Sequence, residues 1–234
     1  MDQLELSDGR GAESLRRLTY QPGDIVLADR YYARPRDLRP VIAAGADFVV
    51  RTGWNSLRLL RPDGSPFDLF ATLAEVAQHG ETSVRIHEGT TENPAPEPLV
   101  LRLVIWRKDL DQAQAEQRRL LKEAKKRGRQ PDPRSLEAAT YVLLLTSLPA
   151  EVFPTVDVLA LYRFRWQIEL AFKQMKSLAG LDALPAKSPE LAQAWIYAKL
   201  ITFLIADRIA GQVPESPPSG PRKPATQPVA LAPH

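Results

Sequence analysis

Continuous apolar runs and helix-period patterns divide this 234-residue chain into recognisable elements. Ile25-Val26-Leu27-Ala28 is an unbroken apolar run, opened by Pro22-Gly23-Asp24 and closed by Asp29. Such a run reads as a buried strand that presents a charged side chain at its carboxyl end. Residues 36–45 follow a helical pattern that stops at Gly45, and Phe48-Val49-Val50 is the next strand. Strand, helix and strand at this spacing predict a βαβ unit and a mixed α/β domain. Upstream, Leu4-Glu5-Leu6 reads as a short strand, residues 8–11 as a turn, and residues 13–18 as one or two helical turns.

The character changes between residues 52 and 140. Residues 54–60, 83–87 and 99–106 suggest short strands, with turn-rich joints at Pro62-Asp63-Gly64 and Asn93-Pro94-Ala95-Pro96. Residues 109–128 form a strongly charged helical pattern, so this region reads as a β-rich insertion with one long helix. Tyr141 to Thr146 is a compact apolar run that returns to the main sheet. Pro149 and Pro154 separate it from a helix over 155–178, and a more apolar helix covers 189–210, with Trp195, Tyr197 and Phe203. The final 22 residues hold seven prolines, a composition that predicts a disordered tail rather than packed structure. There are no internal repeats.

Composition narrows the chemistry. Lys and Arg number 31 against 28 Asp and Glu, a net charge of +3; so small an excess matters only where it clusters. Arg118, Arg119, Lys122, Lys125, Lys126, Arg127 and Arg129 form such a cluster in the charged helix, a footprint for a polyanion or a solvated helix face. The absence of cysteine excludes disulfides, thiolate metal sites and cysteine nucleophiles. With three scattered histidines, any metal is held by oxygen, which favours magnesium or manganese. No apolar run approaches the roughly 18 residues of a membrane span, and no secretory leader is visible, so the expected location is the cytoplasm.

The most informative stretch is Tyr162-Arg163-Phe164-Arg165-Trp166-Gln167-Ile168-Glu169, closed by Lys176. Wound as a helix with Tyr162 at zero, Arg165, Glu169 and Lys176 fall at roughly 300°, 340° and 320°. An aromatic hydroxyl, a guanidinium, a carboxylate and an ammonium thus share one stripe, beside an apolar arc of Leu161, Phe164, Ile168, Phe172, Met175 and Leu178. Arg165 and Glu169 also have the i,i+4 spacing of an ordinary rim pair. The full pattern Tyr-x2-Arg-x3-Glu-x6-Lys, with the word RWQIE inside it, resembles the motif of bacterial insertion-sequence transposases of the DDE superfamily.

That resemblance implies a ribonuclease-H-like mixed sheet flanked by helices, with a β-rich insertion before the Glu-bearing helix. It implies a partial catalytic core over residues 1–51, the insertion over 52–140, the remainder of the core over 141–212, and the tail over 213–234. Glu169 is then one catalytic, metal-holding carboxylate. Asp29 is another, because Asp29-Arg30-Tyr31 resembles the family's strand-end motif; the residue type also suits a cap on the following turn. Asp24 precedes the strand and belongs at the other end of the sheet. Tyr162, Arg165 and Lys176 are implied to contact phosphates, with Lys173 and Arg30 as further DNA contacts, and Trp166 is expected to pack. The implied cofactor is Mg2+ or Mn2+ and the implied partner is double-stranded DNA, at transposon ends and target, in the bacterial nucleoid and with a homodimer as the working form. The family's first Asp has no counterpart after a buried strand, since neither Asp2 nor Asp8 follows one. The expectation is an N-terminally truncated copy with little activity alone, or a non-catalytic DNA-binding remnant.

Overall fold

The computed structural model describes residues 13–87, 98–178, 180 and 188–210. The expected strand at Leu4–Leu6, the joint at Asn93–Pro96 and the Pro-rich tail lie outside them. Two compact units divide between Leu170 and Ala171.

In the first unit, β1 (Ile25–Ala28) and β2 (Asp47–Thr52) lie parallel, joined through α1 (Pro35–Ala43). Proline at the first position of α1 needs no backbone donor there. The helix is left through Gly45 at φ 75°, a left-handed conformation that glycine adopts without steric cost. Strand β3 (Leu59–Leu60), α2 (Leu69–Glu75), β4 (His79–Ile86), β5 (Leu99–Arg107), α3 (Leu110–Lys126), α4 (Pro133–Ala138) and β6 (Tyr141–Thr146) follow. The six strands form one sheet in the order β1-β2-β6-β5-β4-β3, antiparallel from β2 onward. Strand β6, the last in sequence, therefore returns beside β2 in the middle of the sheet.

Side-chain alternation sorts the strands onto two faces. Phe48, Val50, Leu143, Leu145, Leu103 and Ile105 pack on one face, which α1 covers with Leu38 and Val41 and α2 with Leu69 and Leu73. Val49, Leu144 and Val104 pack on the other, under Val158 of α5 (Thr155–Leu178), with Leu159, Leu161 and Tyr162 partly buried against them. Covering on both faces explains why the sheet-centre strands read as continuous apolar runs.

The entry into α5 is pinned by polar contacts. Thr146 Oγ1 donates to the Phe48 carbonyl at 2.6 Å and accepts from the Leu148 amide at 3.1 Å. Arg102 Nη1 donates to the carbonyls of Leu148 (2.7 Å) and Phe153 (3.0 Å), and its Nη2 pairs with Glu81 Oε2 at 2.5 Å. The Thr155 hydroxyl donates to the same Glu81 oxygen.

Several expectations change. The strand expected over 54–60 is only Leu59–Leu60; Trp54 instead stacks edge-on against Phe70 at 5.7 Å and donates its indole N–H to Ser135. Helices α2 and α4 were not anticipated. At seven and six residues they are too short for periodicity to show, though the capping Asp68 and Asp132 were visible. Phe164 and Trp166, expected to pack, are 56% and 64% exposed. Among the described residues, Tyr162 is the last of α5 packed against the sheet core, and Phe164 and Trp166 lie beyond it.

The second unit holds the last turns of α5 and α6 (Pro189–Ala210). Met175 and Leu200 are buried, and Lys199 Nζ sits 5.4 Å over the Trp195 ring. Among the described residues no helix is long and apolar enough to cross a membrane.

Thr146→Val removes a buried donor and acceptor that serve two backbone groups, so the expected loss is about 1–3 kcal/mol. A urea midpoint equal to that of the unaltered chain would contradict this role. A second expectation concerns alkaline pH. The Tyr20 and Tyr32 phenols are pushed up from 10.0 to about 12, first by burial, then by Asp37 and Glu13 respectively. A raised pKa stabilises the fold fully below pH 10 and ceases to do so as pH climbs through 12. Stability should therefore fall between pH 10 and 12, and the double variant Tyr20→Phe/Tyr32→Phe should flatten that fall in urea titrations.

Candidate nucleic-acid and metal site

Parallel pairing of β1 with β2 puts their carboxyl ends at one edge of the sheet, the usual ligand-binding end of parallel strands. Asp29 emerges there directly after β1. It caps the 3-10 turn Arg30–Tyr32, Oδ1 accepting from the Tyr31 amide at 2.8 Å. The capping role allowed from sequence is therefore real, yet it occupies one oxygen of an exposed carboxylate. Asp24 accepts from the Gln21 amide before β1, at the opposite end.

Arg51 near the end of β2 completes the edge and was not singled out from the sequence. Burial and the neighbouring Arg30 lower its pKa, with Arg165 adding to the effect and Tyr162 and Glu116 opposing it. Four groups from β2, α5 and the β1 loop thus lie within electrostatic reach of one another. Its signal in the sequence was positional: a charged residue following Phe48-Val49-Val50, as Asp29 follows β1. Beyond it lies a cavity of about 170 Å³ whose lining includes Arg30, Arg51, Trp54, Lys108, Glu116 and Arg119. Lys108 Nζ donates to the Ala139 carbonyl at 2.6 Å. Its pKa is lowered, chiefly by burial, with Arg51 and Arg119 contributing.

Helix α5 brings Tyr162 and Arg165 to this edge. Tyr162 packs against the second face of the sheet, and its hydroxyl is buried facing the Arg165 side chain, without the geometry of a full hydrogen bond. Burial pushes its pKa up; Arg165 and Arg51 pull it down, and Asp29 adds a small upward push. Asp29 and Tyr162, 133 positions apart by subtraction of their numbers, are therefore electrostatic neighbours. The Arg165 guanidinium stands 5.5 Å over the Tyr162 ring. Its Nη1 donates to Glu169 Oε1 at 2.6 Å, whereas its Nε is buried with no partner. Burial is the largest single influence and works against the Arg165 charge, but Glu169 and Tyr162 together outweigh it and the pKa rises.

Glu169 lies two turns beyond Tyr162, about 10 Å along the helix axis, and its side chain is 57% exposed. Arg165 holds it in the i,i+4 pair that the sequence allowed. Among the described residues, no group of three or more His, Asp or Glu side chains is gathered for a cation. Lys173 and Lys176 fall in the second unit, both exposed.

Chemically, the edge offers the Asp29 carboxylate with an oxygen to spare, the buried Tyr162 hydroxyl and Arg165 Nε, and a set of cations; Glu169 is tied to it only through Arg165. Residues 7–205 match the family model described as "Transposase DDE domain". The transposase for insertion sequence element IS421 of Escherichia coli is 42% identical over 219 residues, which cover 92% of this chain and 58% of that protein. The transposase for insertion sequence element IS231F of Bacillus thuringiensis subsp. israelensis is 24% identical over 198 residues, 80% of this chain and 42% of that protein. The chain thus spans less than three-fifths of the length of these two relatives. Extending over most of the sequence and taking in both Asp29 and the signature helix, these matches establish that the chain belongs to the transposase DDE domain family.

Proposed function

We propose that this chain works on double-stranded DNA as part of a transposase that cleaves and transfers strands at insertion-sequence ends. The observation that carries the reading is a pair of buried donors that lack a full hydrogen bond, Tyr162 Oη and Arg165 Nε, with the Asp29 carboxylate within electrostatic reach of Tyr162. Leaving such donors unmade costs about 1–3 kcal/mol each, so they suit an incoming oxygen-rich anion. A DNA phosphate supplies acceptor oxygens, and Arg51, Arg165 and Arg30 supply the charge that receives it. Lys173 and Lys176, in the second unit, are further cations for the DNA backbone. In this reading, β1–α1–β2 is the parallel part of a ribonuclease-H-like core over residues 1–51 and 141–212. Residues 52–140 are its β-rich insertion. The working form is a homodimer acting on nucleoid DNA in the bacterial cytoplasm.

Asp29 and Glu169 are the acids that hold a divalent cation, Mg2+ or Mn2+. Their donor set fits, because hard cations take carboxylate oxygens and each acid keeps one oxygen outside its protein contact. When bound, such a cation stabilises charge on the attacking and leaving oxygens of an in-line displacement at phosphorus. The residues prepare that arrangement. Asp29 is aimed by its cap at the edge of the sheet, and Tyr162 and Arg165 fix the phosphate. The exposed Arg165–Glu169 pair is worth no more than about 0.5 kcal/mol, so phosphate can draw Arg165 away and free Glu169.

A second reading, DNA binding without catalysis, is favoured by the same pair: Arg165 neutralises Glu169, and Asp29 has a structural bond, with no cation needed. Two measurements separate the readings. Fluorescence anisotropy on duplex DNA from the flanks of the gene should show binding that Tyr162→Phe/Arg165→Gln weakens roughly 10- to 100-fold. Undiminished binding by that variant would sink both. Mn2+ titration followed by electron paramagnetic resonance should show a site weakened at least about tenfold by either Asp29→Asn or Glu169→Gln. DNA binding with Mn2+ affinity insensitive to both changes leaves the non-catalytic reading. Glu169→Gln should alter unfolding free energy by about 0.5 kcal/mol or less; a larger loss would make the residue structural.

A further inference from the structure

Helix α3 is a long element that buries almost nothing. Of its 17 residues only Ala113 is buried, and Leu110 and Leu121 are exposed at 72% and 47%. Asp109 caps its start, its side chain accepting from the Gln112 amide, and Gly128 at φ 63° ends it. Such a helix is not held by a core face, so its surface chemistry is free to serve a partner.

That surface is segregated by charge. With Leu110 at zero, the protein-facing side centres near roughly 300°, where Ala113, Leu120 and Ala124 lie. Arg118, Lys122, Lys125 and Lys126 fall at roughly 80°, 120°, 60° and 160°, all on the outward side. Asp111, in the first turn, also faces outward at roughly 100°, but lies about 10 Å along the axis before Arg118; Glu116 and Glu123 flank the cavity side, at roughly 240° and 220°. Both are taken by one residue, Arg119, which pairs with Glu116 at 2.6 Å and with Glu123 at 2.6 Å. The Arg119 bond lowers the Glu116 pKa, and Arg119 itself is shifted upward. Arg118, Lys122, Lys125 and Lys126 make no ion pair among the described residues. Four cations thus stand unneutralised over about 12 Å of helix. Complementing the helix dipole accounts for Lys125 and Lys126 in the last turn, but not for Arg118 and Lys122 one and two turns earlier.

We infer that the outward face of α3 is a second, sequence-independent contact for the backbone of duplex DNA, distinct from the Asp29–Tyr162 edge. This rests on the proposed action on DNA. Its location supports it: the inner flank of α3, through Glu116, Arg119 and Leu120, lines the same cavity as Arg30 and Arg51. A duplex lying along the carboxyl edge of the sheet therefore has a cationic rail beside it. The duplex carries a phosphate charge about every 1.7 Å of its axis, which a row of four cations can match.

The test is the salt dependence of binding to a random-sequence 40-base-pair duplex, read by anisotropy. Neutralising four phosphate contacts should reduce the slope of log K against log salt by about 3 to 4. The variant Arg118→Gln/Lys122→Gln/Lys125→Gln/Lys126→Gln should show that reduction; glutamine is a good helix former, so α3 is retained. Arg58→Gln/Arg61→Gln, exposed cations beside β3, serve as the net-charge control and should leave the slope within about one unit. Wild-type binding with an unchanged slope in the quadruple variant overturns this inference alone. Equal reduction per charge in the control also overturns it, as a bulk charge effect. No wild-type binding, or binding only to phosphatidylserine vesicles, overturns it together with the proposed function.

Discussion

The site depends on where α5 meets the sheet. Val158 and Leu148 are buried against Val49, Val104 and Leu144, and Arg102 ties the loop carbonyls of Leu148 and Phe153 to the β4–β5 hairpin. With its first turns fixed in this way, the helix delivers Tyr162 to the carboxyl end of β1 and β2. A one-residue slip would rotate every side chain by about 100° and carry Tyr162 and Arg165 away from Asp29 and Arg51. Burial of the apolar contacts supplies the free energy; the directional bonds of Arg102 and Thr146 supply the register.

From there the local chemistry follows from unequal solvation. Tyr162 and the Nε of Arg165 lie on the buried side of the helix, where an unmet donor is costly. Glu169 and the outer nitrogen of Arg165 lie toward solvent, where an ion pair is weak. The same guanidinium therefore has one strongly unsatisfied donor and one cheaply broken bond. An anion that satisfies the first can dissolve the second. In that sense the apparent rim pair and the functional reading are two states of the same residues, and the observed pair excludes neither.

Much of this was legible in the chain. The runs Ile25–Ala28 and Tyr141–Thr146 became β1 and β6 with their expected bounds, because strands covered on both faces leave an unbroken apolar signal. The spacing of Tyr162, Arg165 and Glu169 placed them on one helix stripe, and the structure adds Asp29 as a neighbour of Tyr162. What sequence could not reveal was tertiary. Arg51 looked like any strand-end cation until parallel pairing put it beside Arg30 and Arg165. Trp166 and Phe164 carried an apolar signal, but helix periodicity says nothing of where packing against the sheet ends. The capping bond of Asp29 was foreseeable as a residue preference, and its coexistence with a free oxygen was not.

Charge placement on α3 bears on the same edge. Arg119 binds both Glu116 and Glu123, so the acids that would screen the outward cations are drawn to the cavity side, near Lys108 and Arg51. There they offset a desolvated cationic cluster: Glu116 raises the pKa of both Arg51 and Lys108, opposing the effect of burial. Glu116 thus steadies the inner cations, while Arg119 holds both acids away from the outer ones. If α3 were merely a solvated spacer, its acids and bases would gain most by interleaving along the outward side as i,i+4 pairs. The observed separation forgoes those pairs and concentrates positive charge outward, a pattern that is favourable once a polyanion lies against it.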